Sequence, residues 1–174
     1  AGDTNIKADI FVRHLPGGTT ICVSTTSAGA QANNHSSDPS ISGDGRFVVF
    51  TSSASNLVAG DTNGRSDVFV RDRTTRITTR VSIGTRVTSG AFPAMSADGR
   101  YVAFVSYPSA YDSPGSVFVR DRQTGTTERV SVDSSGTQAD GLSGFYVSTE
   151  TGAPINRLCL SMSANGRHVA FASF

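Results

Sequence analysis

The sequence predicts an all-β fold, a β-propeller built of four-stranded antiparallel blades, on three observations. A small polar run that ends in Asp-Gly or Asn-Gly and then turns apolar stands three times. It reads Ser42-Gly43-Asp44-Gly45-Arg46-Phe47-Val48-Val49-Phe50, and it recurs at 96–104 and 163–171. A second pattern alternates with it, as Asp9-Ile10-Phe11-Val12-Arg13-His14, Asp67-Val68-Phe69-Val70-Arg71-Asp72 and Ser116-Val117-Phe118-Val119-Arg120-Asp121. In both patterns consecutive residues are apolar, as in Tyr101-Val102-Ala103-Phe104-Val105, so these strands must be buried on both faces. Four-stranded units of that kind stack radially as blades. A β-sandwich would show alternation and no repetition.

Each element follows from local chemistry. Asp-Gly and Asn-Gly between strand formers predict two-residue type I′ hairpins, in which both central positions need positive φ. These hairpins join strands A and B of each blade, with Pro39-Ser40-Ile41-Ser42, Pro93-Ala94-Met95-Ser96 and Leu160-Ser161-Met162-Ser163 as strand A. The segments opening at Asp9, Asp67 and Ser116 are strand C. Each turns through Pro-Gly or Thr/Gly residues into a strand D that ends at Ser24, Ser82 or Ser131. Residues 1–174 thus read as one half-propeller domain. Strands C and D of a shared blade lie at 9–24, blades at 38–83 and 92–132, an insert at 133–156, and strands A and B of the shared blade at 157–174. No segment has a sustained helical period.

Pro-x-x-Ser-x-Asp-Gly-Arg-Tyr-Val-Ala-Phe at 93–104, together with Asp-Val-Phe-Val-Arg-Asp-Arg at 67–73, closely resembles the TolB-like β-propeller repeats of bacterial surface and periplasmic proteins. The resemblance runs through almost the whole chain in three copies. It implies six blades and a periplasmic or extracellular location. Three blade-equivalents in one chain leave open sheet faces and unpaired edges. A homodimer is therefore expected, a six-bladed ring in which strands A–B of one chain complete C–D of the other at both junctions.

Lys+Arg of 15 against Asp+Glu of 14 gives a net charge of +1 with no block of like charge, which argues against nucleic acid and anionic membranes as partners. No apolar run approaches the roughly 20 residues of a membrane-spanning helix, so no membrane insertion is expected. Cys22 and Cys159 read either as a disulfide or as two buried thiols in place of small apolar residues.

Candidate chemistry is sparse. Asp61/Asn63/Asp67 and their N-terminal counterparts Asp3/Asn5/Asp9 place alternate oxygen side chains before a further Asp, as a calcium loop does. They lack the EF-hand's third early ligand and its terminal Glu. The other reading is a turn in which Asp and Asn bond their own backbone, and no metal or other cofactor is assigned. Arg71-Asp72-Arg73 and Arg120-Asp121-Arg122 read as ion pairs at strand ends rather than a basic stripe. His168 stands where Phe47 and Tyr101 stand and is expected to pack in the blade; His14 replaces a strand-end Asp; His35 lies in a Ser/Asn loop. No nucleophile elbow, metal-ligand spacing or nominated carboxylate pair occurs, so no catalytic residue is assigned. The 133–156 insert emerges with the B–C loops on one face of the array, and such insertions mark binding faces. Phe145 and Tyr146 in it are the expected aromatic anchors.

These features favour a non-catalytic binding or scaffold module that recognises a protein, peptide or glycan at its loop-rich face. Two alternatives stay open: a glycan-active hydrolase or lyase whose acids converge on the channel, and a structural repeat segment of a larger surface protein. Fold alone does not choose among them.

Overall fold

The computed structural model describes residues 3–84, 87–107, 115–138 and 160–173; among them every regular element is a strand. A two-stranded sheet pairs β1 (Phe11–Arg13) with β2 (Thr20–Cys22). Next comes a four-stranded sheet of β3 (Ser36–Ile41), β4 (Phe47–Ser52), β5 (Asp67–Asp72) and β6 (Ile77–Arg80), paired in chain order. A second such sheet holds β7 (Ala91–Met95), β8 (Tyr101–Ser106), β9 (Ser116–Asp121) and β10 (Thr126–Arg129). The last sheet pairs β11 (Leu160–Met162) with β12 (Val169–Phe171). All of these pairings are antiparallel.

The double-sided burial expected of strands B and C is present in the first complete sheet and, in the second, in β8 and the first half of β9. All six residues of β5 are buried, as are the last five of β4 and of β8. The pleat sends neighbouring side chains into different cores. Val48 and Phe50 join Ile10 and Val23 between the first hairpin and the first complete sheet. Val49, Val68 and Val70 meet Val102, Phe104 and Phe118 between the two complete sheets. Val105 and Val117 meet Leu160, Val169 and Phe171 under the last hairpin. In each complete sheet strands B and C are tied by a stacked Phe pair in direct register: Phe50–Phe69 with ring centres 6.1 Å apart, and Phe104–Phe118 at 6.0 Å.

The first strands lie side by side, β7 against β3 and β11 against β7, so they form the inner edge from which the sheets fan out. Here the chain departs from the expected strand A. Its strands start at Ser36 and Ala91, ahead of the prolines, and each carries a bulge, between Ser37 and Ser40 and between Ala91 and Ala94. Asp38 and Phe92, with φ of 53° and 55°, sit in the bulges. Proline donates nothing to a ladder, and an edge strand with a bulge is where a sheet tolerates it.

The expected type I′ turn is corrected. Gly45, Gly99 and Gly166 have φ of 71°, 70° and 69°, but Asp44, Asp98 and Asn165 are not in the left-handed region. Each is a one-sided turn closed by the glycine N–H on the serine carbonyl, as Gly45 on Ser42 at 2.9 Å, with the glycine as the left-handed bulge residue. The side chain before the glycine braces it: the Asp44 carboxylate accepts from Ser42 Oγ at 2.6 Å and from the Arg46 N–H at 2.9 Å.

These turns also set the spacing between sheets. Gly43 N–H donates to Ala97 O and Ala97 N–H to Ala164 O, both at 2.8 Å. Gly99 lies against the Phe47 ring, and Gly166 against the Tyr101 ring, closely enough that a Cβ would collide with each. The strand-end arginines and aspartates do form ion pairs, but across the blade. Arg46 grips Asp72 through Nε at 3.1 Å and Nη2 at 2.7 Å, and Arg100 grips Asp121 at 3.0 and 2.7 Å. Arg71 is buried and reaches Thr26 O at 2.9 Å and Thr78 Oγ1 at 2.9 Å. His168, expected to pack in a blade, is exposed, because no further sheet lies over it as they do over Phe47 and Tyr101.

Gly99→Ala should cost about 2–3 kcal/mol, from backbone strain plus collision with Phe47. Gly45→Ala, with the same φ but no side-chain atom nearer than 3.6 Å, should cost only about 1 kcal/mol. Chemical denaturation of the two variants compares them. The bidentate arginines, aided by turn N–H groups, hold the Asp72 and Asp121 carboxyls well below the usual range. A depressed carboxylate contributes its full stability above the unfolded value of about 3.9 and loses it as pH falls toward the folded value. The melting temperature should therefore fall steeply below about pH 4, and Asp72→Asn with Asp121→Asn should start lower and flatten that fall.

Candidate functional site

The A–B and C–D turns occupy one face of the stack, and the B–C and D–A connections the other. The two faces differ in chemistry. On the turn face Arg46 pairs with Asp72 and Arg100 with Asp121, each within its own blade. On the loop face neighbouring connections interlock through polar side chains. Asn33 N–H donates to Asn56 Oδ1 at 3.0 Å, Asn56 Nδ2 donates to Gln31 O at 2.9 Å, and Gly90 N–H donates to Ser66 O at 2.8 Å. His35, placed by sequence in a Ser/Asn loop, accepts the Ala8 N–H on Nδ1 at 3.0 Å.

Asn5 and Asn63 both make the turn that their sequence permits. Each accepts an N–H two residues on, Lys7 at 2.8 Å and Arg65 at 2.9 Å, while its amide donates to the next Asp, Asp9 at 3.0 Å and Asp67 at 2.7 Å. Those aspartates also accept from a serine at the end of strand D: Ser24 Oγ to Asp9 at 2.5 Å and Ser82 Oγ to Asp67 at 2.5 Å. The same serines accept the N–H of Ile10 and of Val68, and Ser131 accepts that of Val117. A serine at this place in all three copies is therefore a brace between strands C and D. Sequence reading passed over it as an ordinary strand end.

The Asp61/Asn63/Asp67 set encloses a cation of the protein's own. Arg80 Nη1 lies 3.1 Å from Asp61 Oδ1 and 3.5 Å from Asp67 Oδ2, with both carboxylates almost fully buried. Burial and then the Asp67 charge push the Asp61 carboxyl up, and Arg80 opposes them. In the N-terminal copy the strand D residue facing this set is Cys22, since Phe69 pairs with Arg80 as Phe11 does with Cys22. Cys22 therefore replaces an arginine, not the small apolar residue that sequence reading assigned it. It is half-buried beside Ser24 Oγ at 3.4 Å, and burial pushes its thiol up. Cys159 lies outside the described residues. No group of three His, Cys, Asp or Glu residues is gathered for metal binding among the described residues.

Between the B–C loop of the first complete sheet and the connection to the second, the loop face opens into a shallow cleft of about 490 Å³. Asn63, Arg65, Arg80 and Thr88 supply its polar wall, and Ile83 and Val87 its apolar one. An open polar wall beside a small apolar shelf suits a polar, extended ligand better than an enclosed apolar one. No sequence signal marked this cleft, because its wall joins two connections that only the stacking of sheets brings together. Phe145 and Tyr146, with most of the insert, lie outside the described residues.

Known structures share this architecture. Putative TolB from Agrobacterium tumefaciens is 21% identical over 70% of this chain and 40% of its own, with a TM-score of 0.48. TolB from Acinetobacter baumannii is 14% identical over 92% of this chain and 42% of its own, at 0.49. The chain is similar to the TolB β-propellers. An oligogalacturonate lyase in complex with manganese is also similar, at 14% identity over 98% of this chain and 42% of that one, with a TM-score of 0.50. At these identities the likeness is one of fold. The chain spans about two fifths of the length of each of these three proteins. No protein-family model and no curated relative matches it.

Arg80→Met should destabilise by about 3 kcal/mol at neutral pH, because it leaves two buried carboxylates without their cation. Asp61 has a raised folded pKa, so the loss should shrink as pH falls toward 4 and Asp61 takes up a proton. Urea denaturation of variant and parent across that range measures it.

Proposed function

We propose that this chain is a non-catalytic binding module that works as half of a six-bladed ring and recognises a protein, peptide or glycan on its loop-rich face. The observation that carries the binding reading is the contrast between the faces. The turn face pairs Arg46 with Asp72 and Arg100 with Asp121 and shows no such opening among the described residues, whereas the loop face opens into a cleft lined by Asn63, Arg65, Arg80 and Thr88 beside Ile83 and Val87. The insert at 133–156, with Phe145 and Tyr146, belongs to the same set of connections by chain order.

The ring reading draws on the exposed halves of the outer sheets. Phe69 and Phe118 are buried under the Phe of strand B, but Phe11, at the same place in the first hairpin, is 40% exposed. Phe171, at the place of Phe50 and Phe104, is only partly covered. In the register of the complete sheets Phe171 would stand opposite Phe11 of a second copy and restore the stacked pair. Three blade-equivalents per chain then make six.

Sedimentation of the purified chain should give twice the single-chain mass, and Phe11→Asp should return it to single chains. A lone chain at every concentration would rule out the ring. An oligosaccharide and peptide array probed with the wild-type protein should yield binders that Arg65→Ala weakens roughly tenfold and Phe145→Ala with Tyr146→Ala weakens further. Turnover of a polysaccharide, abolished by one inner-edge Asp→Asn change such as Asp38→Asn, would show an enzyme instead.

A further inference from the structure

The two-copy ring just described has a corner unlike the others. In the complete sheets the start of strand B faces the end of strand C, as Phe47 with Asp72 and Tyr101 with Asp121. The same register sets His168 opposite His14 of a second copy. At the two complete corners charge is balanced. Arg46 holds Asp72, Arg100 holds Asp121, Arg73 and Arg122 donate to the carbonyls of Gly45 and Gly99, and Asp44 and Asp98 sit within the turns. At the shared corner the equivalent residues are Arg167, His14, Leu15 and Asn165. Every carboxylate has gone and one arginine remains. Asn165 still braces its turn, accepting from Ser163 Oγ at 2.8 Å and the Arg167 N–H at 3.1 Å, so the corner keeps its shape while losing its negative charge.

His168 has a second set of neighbours. The Phe47 ring lies between two guanidiniums, Arg46 at 4.6 Å and Arg122 of the following sheet at 4.4 Å. Arg100 lies 4.7 Å from the Tyr101 ring in the same way. In the ring, Gly45 of the second copy would cover His168 as Gly99 covers Phe47 and Gly166 covers Tyr101. That brings Arg73 of the second copy to the place of Arg122. His168 would then lie between Arg167 and Arg73, with His14 across the strand pair and Arg13 beside it. The carboxylates on the elements packed there are already engaged: Asp121 by Arg100, and Asp72 and Asp44 of the second copy by Arg46 and Ser42. A neutral ring attracts flanking guanidiniums, and an imidazolium repels them.

We propose that the joint between two copies of this chain is a proton-sensitive seam, closed while His14 and His168 are neutral and loosened when they take up protons. The expectation rests on the ring reading and adds a sign to it: association is tighter in mildly alkaline than in mildly acidic solution.

Sedimentation equilibrium at pH about 8 and about 5.5 reads it, with a rise in the dissociation constant of roughly tenfold or more expected at the lower pH. His14→Asp supplies the carboxylate found at the two complete corners and should keep the pair together at both values. His168→Phe should remove part of the pH dependence without disturbing the fold, since the position is exposed in the single chain. A wild-type pair equally tight at both pH values, or variants that keep the whole loss, would overturn the seam and leave the ring standing. Single chains at both pH values would overturn the ring and the seam together.

Discussion

Strands B and C of each complete sheet have no wet face, and the rest of the architecture follows from that. Val48 and Phe50 point to one neighbour while Val49 points to the other, so a sheet of this sequence cannot sit at a solvent boundary without exposing a row of large apolar side chains. Each sheet therefore requires a neighbour on both sides. Stacking is the consequence of the sequence's failure to alternate, and the stacked Phe pairs mark where the requirement is strongest. The hairpins at either end meet it on one side only, which is why Phe11 and Phe171 carry surface that their equivalents have lost.

Much of this was legible in the residues. Repetition located strands B, C and D closely, because their apolar runs are bounded by turn residues on both sides. Strand A was read too short in the two complete sheets. Proline before Ser40 and Ala94 argues against a central strand, but β3 and β7 lie at an edge, where a missing donor costs little. The turn type was misread for a related reason. Asp-Gly is the signature of a two-residue hairpin, yet Ser42 and Ser96 form hydrogen bonds with the turn carboxylate and with the strand beyond it, and that widens the loop. Local pairs of letters carry the turn's existence; the residue two places upstream decides its kind.

The site was less legible than the fold. Asp61, Asn63 and Asp67 looked like a cation loop because the sequence shows ligands in a row and cannot show Arg80 arriving from another strand. Cys22 was misread for the same reason: its meaning comes from the residue it replaces, and only the register of β1 and β2 discloses that. The ion pairs were anticipated in kind and misassigned in partner, since Arg46 and Asp72 are far apart in the chain and adjacent in the sheet.

On the turn face, glycine on ring and turn amide on turn carbonyl space one sheet from the next, and on the loop face backbone bonds from Ser36 N–H to Ala8 O and from Gly90 N–H to Ser66 O do the same close to the strands. The pitch of the array is thus set at both ends of the strands. Beyond those backbone bonds the connections can lengthen or change composition, since lengthening an already long loop costs little entropy. The geometry is held close to the strands while the outer parts of the connections are free to vary in chemistry, so a new specificity can arise on this scaffold without the stack of sheets having to be rebuilt around it.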